Sequence, residues 1–340
     1  MKDKKELRIV YMGTPDFAVE PLRRLVEGGY NIVGVITMPD KPAGRGHKLQ
    51  HSAVKKYALA CGLPILQPVK LKDESFLESL KAWQADLQIV VAFRMLPEVV
   101  WNMPPMGTFN LHASLLPQYR GAAPINWAVI NGDTETGITT FFLEHAIDTG
   151  NIIQQERIPI EDTDDVGIVH DKLMNLGADL VLHTVDALLA GTVTAIPQQQ
   201  LATATELRPA PKIFKDTCRI NWDQPMKKVY DFVRGLSPHP VAWTRLEQGD
   251  QSLVFKLYRT EKVTAEELLS HDTFTAASQG LVAGAVPGTI VCDGKKELCI
   301  ATADGWIRVK ELQVPGKRRM HVDDYLRGYR GDPLEEAHFC

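Results

Sequence analysis

The feature that most constrains the fold is the alternation of short, fully apolar runs with amphipathic segments in the first third of the chain. Residues 7–12 are apolar and end at Gly13-Thr14-Pro15, a helical pattern continues to Gly28-Gly29, and residues 32–37 are apolar again. Apolar runs without alternation are typical of parallel strands that are covered on both faces. This strand, helix, strand unit therefore predicts a right-handed crossover within a parallel sheet.

Further alternation extends this sheet. The sequence predicts helices near residues 53–60 and 74–83, strands at residue 65 and over 87–93, and a strand that leads to Asn110. The fold class is therefore α/β, with a doubly wound and mostly parallel sheet whose ligands bind at the carboxyl ends of the strands. Apolar runs at 138–143 and 152–153 flank Asp148-Thr149-Gly150 and predict a hairpin-like return. A helix over 169–188, capped by Gly191, closes a first domain of residues 1–191.

The rest of the chain has a different pattern. Residues 192–213 lose periodicity and contain three prolines, which predicts a stiffened linker. A helix is expected near 226–236, and short strands recur at 242–246, 253–258, 289–292, 298–302 and 306–312. Short strands separated by Gly and Asp turns predict a small open β-barrel over 214–330. The tail, residues 331–340, has no assigned role.

Composition excludes several classes of protein. Hydrophobic residues make up 44% of the 340 and charged residues 24%, which are ordinary globular values. No signal or transit peptide is visible, and we expect no apolar stretch that approaches a membrane span. The five cysteines are irregularly spaced and lack a Cys-x-x-Cys pair, which disfavours disulfides and zinc. We expect a cytoplasmic monomer without a bound metal.

Charge is distributed unevenly. Residues 1–206 contain 18 Lys+Arg and 24 Asp+Glu, a net charge of −6, whereas residues 207–330 contain 20 and 15, a net charge of +5. A basic second half fits a surface that meets phosphates, and it equally fits an ordinary solvated surface.

Three residues are candidates for catalysis. Asn110 and His112 lie two apart after an apolar run, so on a strand their side chains share a face. An amide can donate to a developing oxyanion, an imidazole can hold or move a proton near neutral pH, and a carboxylate such as Asp148 can orient that imidazole. The set suits acyl transfer. The alternative is that these are ordinary hydrogen-bonded loop residues.

The surrounding residues carry a family resemblance. The pattern Asn-x-His-x-Ser-Leu-Leu-Pro-x-Tyr-x-Gly-Ala-x-Pro, with a later Asp-Thr-Gly, resembles the folate-dependent formyltransferases, and among them those that act on methionyl-tRNA. The resemblance implies a Rossmann-like catalytic domain, an OB-like barrel, and 10-formyltetrahydrofolate as formyl donor. It implies that Asn110, His112 and Asp148 act on the formyl group. It also places four residues at the folate: Ser114, Leu115, Leu116 and Pro117.

A polar loop is the second candidate site. Residues 38–49, MPDKPAGRGHKL, lack an apolar anchor, so we expect an exposed, mobile loop. Lys41, Arg45 and Lys48 are suited to phosphates, and the alternative is a solvated surface loop. In the resembling family a near-identical segment inserts at the acceptor end of initiator tRNA, which implies that role for Arg45.

Two departures from the family pattern concern the first domain. Ala92-Phe93-Arg94-Met95-Leu96-Pro97 replaces a longer glycine-containing stretch that borders the pterin pocket in relatives, and Ala146 stands where glycine is frequent. Three other functions remain open. They are formyl transfer to a small amine, a non-catalytic tRNA-binding protein, and a dehydrogenase, which the single glycine of Gly13-Thr14-Pro15 supports weakly.

Overall fold

A computed structural model describes residues 3–43, 48–201, 206–270, 274 and 276–340. In the first half of the chain a mixed sheet runs in the order β5-β2-β1-β6-β7-β8-β9. The strands are β1 (Ile9–Gly13), β2 (Ile32–Ile36), β3 (Lys41–Ala43), β4 (Lys48–Gln50), β5 (Ile65–Leu66), β6 (Leu87–Val91), β7 (Thr108–His112), β8 (Glu135–Phe142) and β9 (Ile152–Pro159). The pairs from β5 to β7 are parallel and the last two are antiparallel. The predicted doubly wound, mostly parallel sheet is confirmed.

The predicted crossovers are present between the parallel strands. The helices of the chain are α1 (Val19–Glu27), α2 (Ala53–Ala60), α3 (Glu74–Ala82), α4 (Glu98–Trp101), α5 (Pro124–Ile130), α6 (Val166–Ala190), α7 (Gln198–Leu201), α8 (Met226–Leu236), α9 (Ala265–Leu269), α10 (Ala276–Ala283) and α11 (Val322–Gly328). Ser52 caps α2 by accepting a hydrogen bond from the Lys55 amide at 3.0 Å. The turn at Gly13 is tight, because an added Cβ would lie 2.6 Å from the Cβ of Ala18. This glycine is therefore explained by packing.

Helix α6 covers one face of the sheet at β7. An added Cβ at Gly177 would lie 2.7 Å from Leu111 Cδ2, so helix and strand meet closely there. Leu173 and Val185 are fully buried. The expectation that no apolar stretch approaches a membrane span is wrong for α6, which is long and apolar enough by length and composition. A single helix of this kind is weak evidence, because a core helix passes the same test.

The loop over residues 38–49 contains more structure than its polarity suggests. Strands β3 and β4 form an antiparallel pair in which Lys41 faces Gln50 and Pro42 faces Leu49. Exposure is as expected, since Lys41 and Pro42 are exposed and Leu49 retains 66% of its accessible surface. The sequence did not indicate this pairing, because backbone pairing needs no apolar anchor.

The second half forms an antiparallel sheet in the order β12-β13-β14-β11-β10-β16, with β15 on β14. The strands are β10 (Ala242–Gln248), β11 (Gln251–Val263), β12 (Ile290–Cys292), β13 (Leu298–Ala301), β14 (Trp306–Gln313), β15 (Met320–His321) and β16 (His338–Phe339). A bridge between Thr289 and His338 joins the first and last strands of this order. The predicted barrel is confirmed as a nearly closed one.

The C-terminal tail supplies the closing strand. Residues of β16 pair with Leu246 and Glu247 of β10, and the Phe339 amide donates to the Gly288 carbonyl at 3.0 Å. Phe339 is 1% exposed, and its ring lies 5.2 Å from the ring of Phe255. Residues 331–340, which the sequence left without a role, therefore complete both the sheet and its core.

Contacts divide the chain into two units. The first comprises residues 1–124, 135–159 and 170–211, and the second comprises 125–134, 160–169 and 212–340. Two short segments that the sequence placed in the first domain, 125–134 and 160–169, thus group with the second unit.

All five cysteines are free thiols.

Truncating Phe339 is expected to destabilise the barrel. Phe339→Ala removes a buried ring between Phe255 and Trp222, and such truncations lower the free energy of unfolding by about 3–5 kcal/mol. Urea denaturation of the full chain, followed by tryptophan fluorescence, measures this loss. His338→Ala, on the exposed neighbour in the same strand, is the matched control. Equal midpoints for the two variants would contradict a structural role for the tail.

Candidate active site

Strand β7 presents Asn110 and His112 on one face of the sheet. Asn110 lies opposite Phe141 and His112 opposite Thr139 on β8, and residues at these alternate positions point to the same side. Leu111 points to the other side, where α6 packs. Asn110 is half-buried and His112 is 7% exposed. The two side chains that the sequence singled out therefore share the face that α6 leaves uncovered.

A backbone carbonyl orients His112. Its Nε2 lies 2.9 Å from the carbonyl oxygen of Tyr119, which can only accept, so Nε2 carries a proton. Nδ1 has no hydrogen-bond partner in the part of the chain that the structure describes, and in the neutral form of the ring it carries the lone pair. The ring edge packs against Phe141, with centroids 6.4 Å apart. The imidazole is thus held in one tautomer with one nitrogen available.

Asn110 differs from most half-buried amides. Its backbone is fixed by pairing to Val90 and Phe141 on either side. No hydrogen bond to its side chain is found within the described residues. A rigid backbone with an uncommitted amide is the arrangement expected of a group that binds a substrate oxygen.

Asp148 lies in the turn between β8 and β9, as predicted. Its φ of 54° is unusual for a residue other than glycine and is typical of strained functional positions. The Gly121 amide donates to Asp148 Oδ2 at 3.0 Å. Gly150 closes the turn, because any Cβ there would clash with the Phe142 carbonyl oxygen. Local backbone geometry therefore requires glycine at position 150.

Two of the three candidates, His112 and Asp148, are bonded to one segment, residues 119–121. The His112 ring is bonded to the Tyr119 carbonyl, and the Asp148 carboxylate accepts a hydrogen bond from the Gly121 amide. No hydrogen bond between Asp148 and His112 occurs among the described residues. The expectation that Asp148 orients the imidazole directly is corrected, since the Tyr119 carbonyl has that role.

This segment is held by a later part of the chain. The Ala210 amide donates to the Arg120 carbonyl at 2.8 Å, and the Ala122 amide donates to the Ala210 carbonyl at 2.7 Å. A side chain at Gly121 would clash with that carbonyl. The region predicted as a linker therefore pairs with the site segment, a role that its lack of periodicity did not indicate.

The sequence also missed Gln198. It is fully buried, and its amide joins Arg120 to the backbone of the Asp148 turn. Its only signal was its place in a run of three glutamines, where nothing separates it from its neighbours.

The predicted folate segment is mostly buried. Ser114 Oγ donates to the Gln118 carbonyl at 2.7 Å, and Leu116 packs with Phe141 and Ile152. Pro117 is also buried. Leu115 is half-buried, and it sits close to Gly137, where an added Cβ would lie 2.5 Å from its Cδ2. Leu115 is therefore the member of the segment with side-chain surface left to offer a ligand.

The altered stretch at 92–97 makes a cross-connection through Arg94. Its guanidinium donates to the Pro68 carbonyl and, at 2.8 Å, to the Val69 carbonyl. Burial lowers the pKa of Arg94 from its usual value. Met95 next to it keeps 74% of its surface exposed. Arg94 thus joins residues 92–97 to the backbone at Pro68 and Val69.

The basic loop is anchored at its base by Asp40. The carboxylate accepts hydrogen bonds from Lys55 Nζ at 2.5 Å and from Gln67 Nε2 at 2.9 Å, and it lies 3.0 Å from His51 Nδ1. Lys41 begins β3 and is exposed. Lys48 begins β4. Arg45 lies outside the described residues, so its predicted role stays a prediction.

Comparison with known proteins identifies the family. A family model described as Formyl transferase matches residues 7–185, and a second model, described as Formyl transferase, C-terminal domain, matches residues 212–330. The chain belongs to the formyl transferase family.

Similar proteins agree with the family over the whole length. The chain is 65% identical over 327 residues to a methionyl-tRNA formyltransferase of Bacteroides fragilis, covering 96% of both chains. It is 66% identical over 331 residues to that of Phocaeicola vulgatus, covering 96% of this chain and 97% of the other. The resemblance found in the sequence is confirmed.

A solved structure shows the same fold at low identity. HypX from Aquifex aeolicus, in complex with tetrahydrofolic acid, aligns with a TM-score of 0.60 and 16% identity. The alignment covers 94% of this chain and 47% of HypX.

Removing the main partner of Asp40 is expected to change its titration. The Lys55 hydrogen bond, then that of Gln67, lowers the pKa of Asp40 to about 2 from the ordinary 3.8. In Lys55→Met the pKa should rise toward 3.8, which carboxyl ¹³C NMR measures. Because the folded pKa is depressed, ionised Asp40 anchors the loop fully above pH 3.8, and the anchor is lost as pH falls through about 2.

Lys56→Met, on the exposed neighbour, is the control and should leave the pKa of Asp40 low. An Asp40 pKa near 3.8 in the unsubstituted protein would contradict the anchoring.

Proposed function

We propose that this protein transfers the formyl group of 10-formyltetrahydrofolate to the free amine of methionine on initiator tRNA. The observation that supports this proposal is that residues 119–121 bind both the His112 imidazole, through the Tyr119 carbonyl, and the Asp148 carboxylate, through the Gly121 amide. The similarity to methionyl-tRNA formyltransferases along the full chain supports this substrate pair.

The amide of Asn110 is proposed to stabilise the oxyanion. Attack of the amine nitrogen on the formyl carbon forms a tetrahedral centre with a negative oxygen. A side-chain N–H held in place on a strand can donate to that oxygen without reorganising. Collapse of the centre breaks the bond to the folate nitrogen, which leaves as an amine after gaining a proton.

His112 is proposed to carry the proton between the two nitrogens. With Nε2–H donated to the Tyr119 carbonyl, the Nδ1 lone pair can accept the proton that the attacking amine loses. The resulting imidazolium is stabilised by the same carbonyl, and its new Nδ1–H can donate to the oxyanion or to the leaving nitrogen. Proton balance is then complete without an external acid.

Asp148 is proposed to help remove the proton of the attacking amine through a water molecule. Its Oδ2 is committed to the Gly121 amide, which leaves Oδ1 free to accept. No covalent intermediate with the enzyme is required, so positioning of the two substrates supplies much of the acceleration.

The folate is proposed to lie along Ser114, Leu115, Leu116 and Pro117. Leu115 offers apolar side-chain surface, while the other three set the path of the segment through their burial. Arg94, which joins residues 92–97 to the Pro68 and Val69 carbonyls, is proposed to hold in place the stretch that borders the pterin.

The tRNA is proposed to contact both parts of the chain. Lys41, Arg45 and Lys48 are proposed to meet its phosphates, which their charges suit. Asp40, which binds Lys55, fixes the chain just before Lys41. We propose a catalytic domain over 1–191, a linker over 192–213, a tRNA-contacting barrel over 214–330 and a tail over 331–340. We also propose that the protein is a cytoplasmic monomer that needs no metal.

Substitutions in the site are expected to lower turnover. Asn110→Ala should reduce kcat by about 10²–10³-fold by removing an oxyanion donor, and His112→Ala by about 10²–10⁴-fold by removing the proton carrier. Formylation of charged initiator tRNA with the folate donor measures both. His183→Ala, on the exposed side of α6, is the control.

The same assay separates the rival functions. Activity on small amines but not on Met-tRNA would reject the proposed substrate, and full turnover in His112→Ala would reject the proposed chemistry.

Arg45→Ala is expected to act on the tRNA and not on the folate. The KM for Met-tRNA should rise and the salt dependence of tRNA binding should fall by roughly one unit of slope, since one phosphate contact is lost. The KM for the folate should not change. Lys56→Ala is the control for removing a nearby positive charge, and equal changes in both KM values would contradict the assignment.

A further inference from the structure

Gln198 is a buried amide in a run where its neighbours are exposed. The side chain begins α7 and has no accessible surface, whereas Gln199 and Gln200 are exposed. A buried primary amide is destabilising unless its polar atoms are bonded, so its partners explain its position.

All four hydrogen-bonding positions of the amide are used. Nε2 donates to the carbonyl of Asp148 at 2.8 Å and to that of Gly150 at 2.9 Å. Oε1 accepts from Arg120 Nε at 3.1 Å and from Nη2 at 2.6 Å. The amide therefore clamps the two ends of a three-residue turn and is itself held by a two-pronged guanidinium.

These bonds close a ring around the Asp148 carboxylate. Arg120 reaches the turn backbone through Gln198, and the next residue, Gly121, donates its amide to Asp148 Oδ2. Gln198, itself held by Arg120, thus binds the backbone of the turn, and Gly121, next to Arg120 in the chain, binds the carboxylate. Such a ring is needed because Asp148 adopts a left-handed conformation that its own sequence does not favour.

We propose that Gln198 and Arg120 are positioning residues that hold the Asp148 carboxylate in place for formyl transfer. The inference rests on the proposed function, because Asp148 is there proposed to help His112 remove the proton of the attacking amine, through water. Neither residue needs to touch substrate. Their effect is on the location of the carboxylate, and a displacement of about 1 Å at such a group lowers turnover by roughly 10²-fold.

The first test compares two leucine substitutions in the same short helix. Gln198→Leu should lower kcat by roughly 10- to 100-fold while both KM values change little, since substrate binding surfaces are untouched. Gln199→Leu, the matched control, should leave kcat unchanged. A rise in KM with unchanged kcat for Gln198→Leu would overturn the proposal.

A double substitution shows whether the loss passes through Asp148. In an Asp148→Asn background, Gln198→Leu should have little further effect on kcat, because the group it positions is already gone. A loss as large as in the wild-type background would show that Gln198 acts elsewhere and would overturn the proposal.

A measurement independent of activity keeps this inference separate from the proposed function. Hydrogen exchange of the Gly121 amide, followed by NMR, reports whether the Asp148 carboxylate still accepts its bond. Exchange should be faster in Gln198→Leu and unchanged in Gln199→Leu. Unchanged exchange in both would overturn the positioning role, and a wild type inactive on Met-tRNA would overturn only the proposed function.

A milder variant covers the case in which Gln198→Leu does not fold. Arg120→Lys keeps the charge but can make only a single bond to Gln198 Oε1, so it should give a smaller fall in kcat and a smaller increase in Gly121 exchange. Wild-type values for both would overturn the proposal.

Discussion

The site depends on the backbone of residues 119–121. This segment offers a carbonyl to His112 and an amide to Asp148, and it is fixed by strand-like bonds to Ala210. A backbone group of this kind keeps its place through the surrounding hydrogen bonds, whereas a direct side-chain contact would rely on two flexible partners. Gly121 allows the close approach, since a side chain there would clash with the Ala210 carbonyl.

The second unit depends on a comparable closure. Strand β16 at the end of the chain joins β10 to the Gly288–Thr289 backbone, and Phe339 fills the space beside Phe255. In both units a distant segment of the chain completes a structure whose main elements are formed by earlier residues. Such long-range closure leaves little trace in local sequence pattern, because two or three paired residues have no periodicity to detect.

Much of the fold follows from local pattern. Strand β1 was located from its continuous apolar run, strand period predicted that Asn110 and His112 share a face of β7, and Gly191 was identified as the cap of α6. The hairpin at β3 and β4 was missed because its residues have neither strand propensity nor alternation, and its base is fixed by Asp40 through tertiary contacts. The sequence analysis expected no apolar stretch that approaches a membrane span, but α6 meets that test of length and composition because its charges are few and widely spaced.

The sequence by itself determined which residue types are present for acyl transfer, on which strand face two of them lie, and which family they resemble. Only the tertiary structure decided that the Tyr119 carbonyl orients His112, that Asp148 binds the Gly121 amide, and that one of three consecutive glutamines is buried beneath the turn. The physical reason is that strand period and turn chemistry act between neighbours in the chain. Hydrogen bonds to backbone groups far along the sequence depend on where the fold brings them.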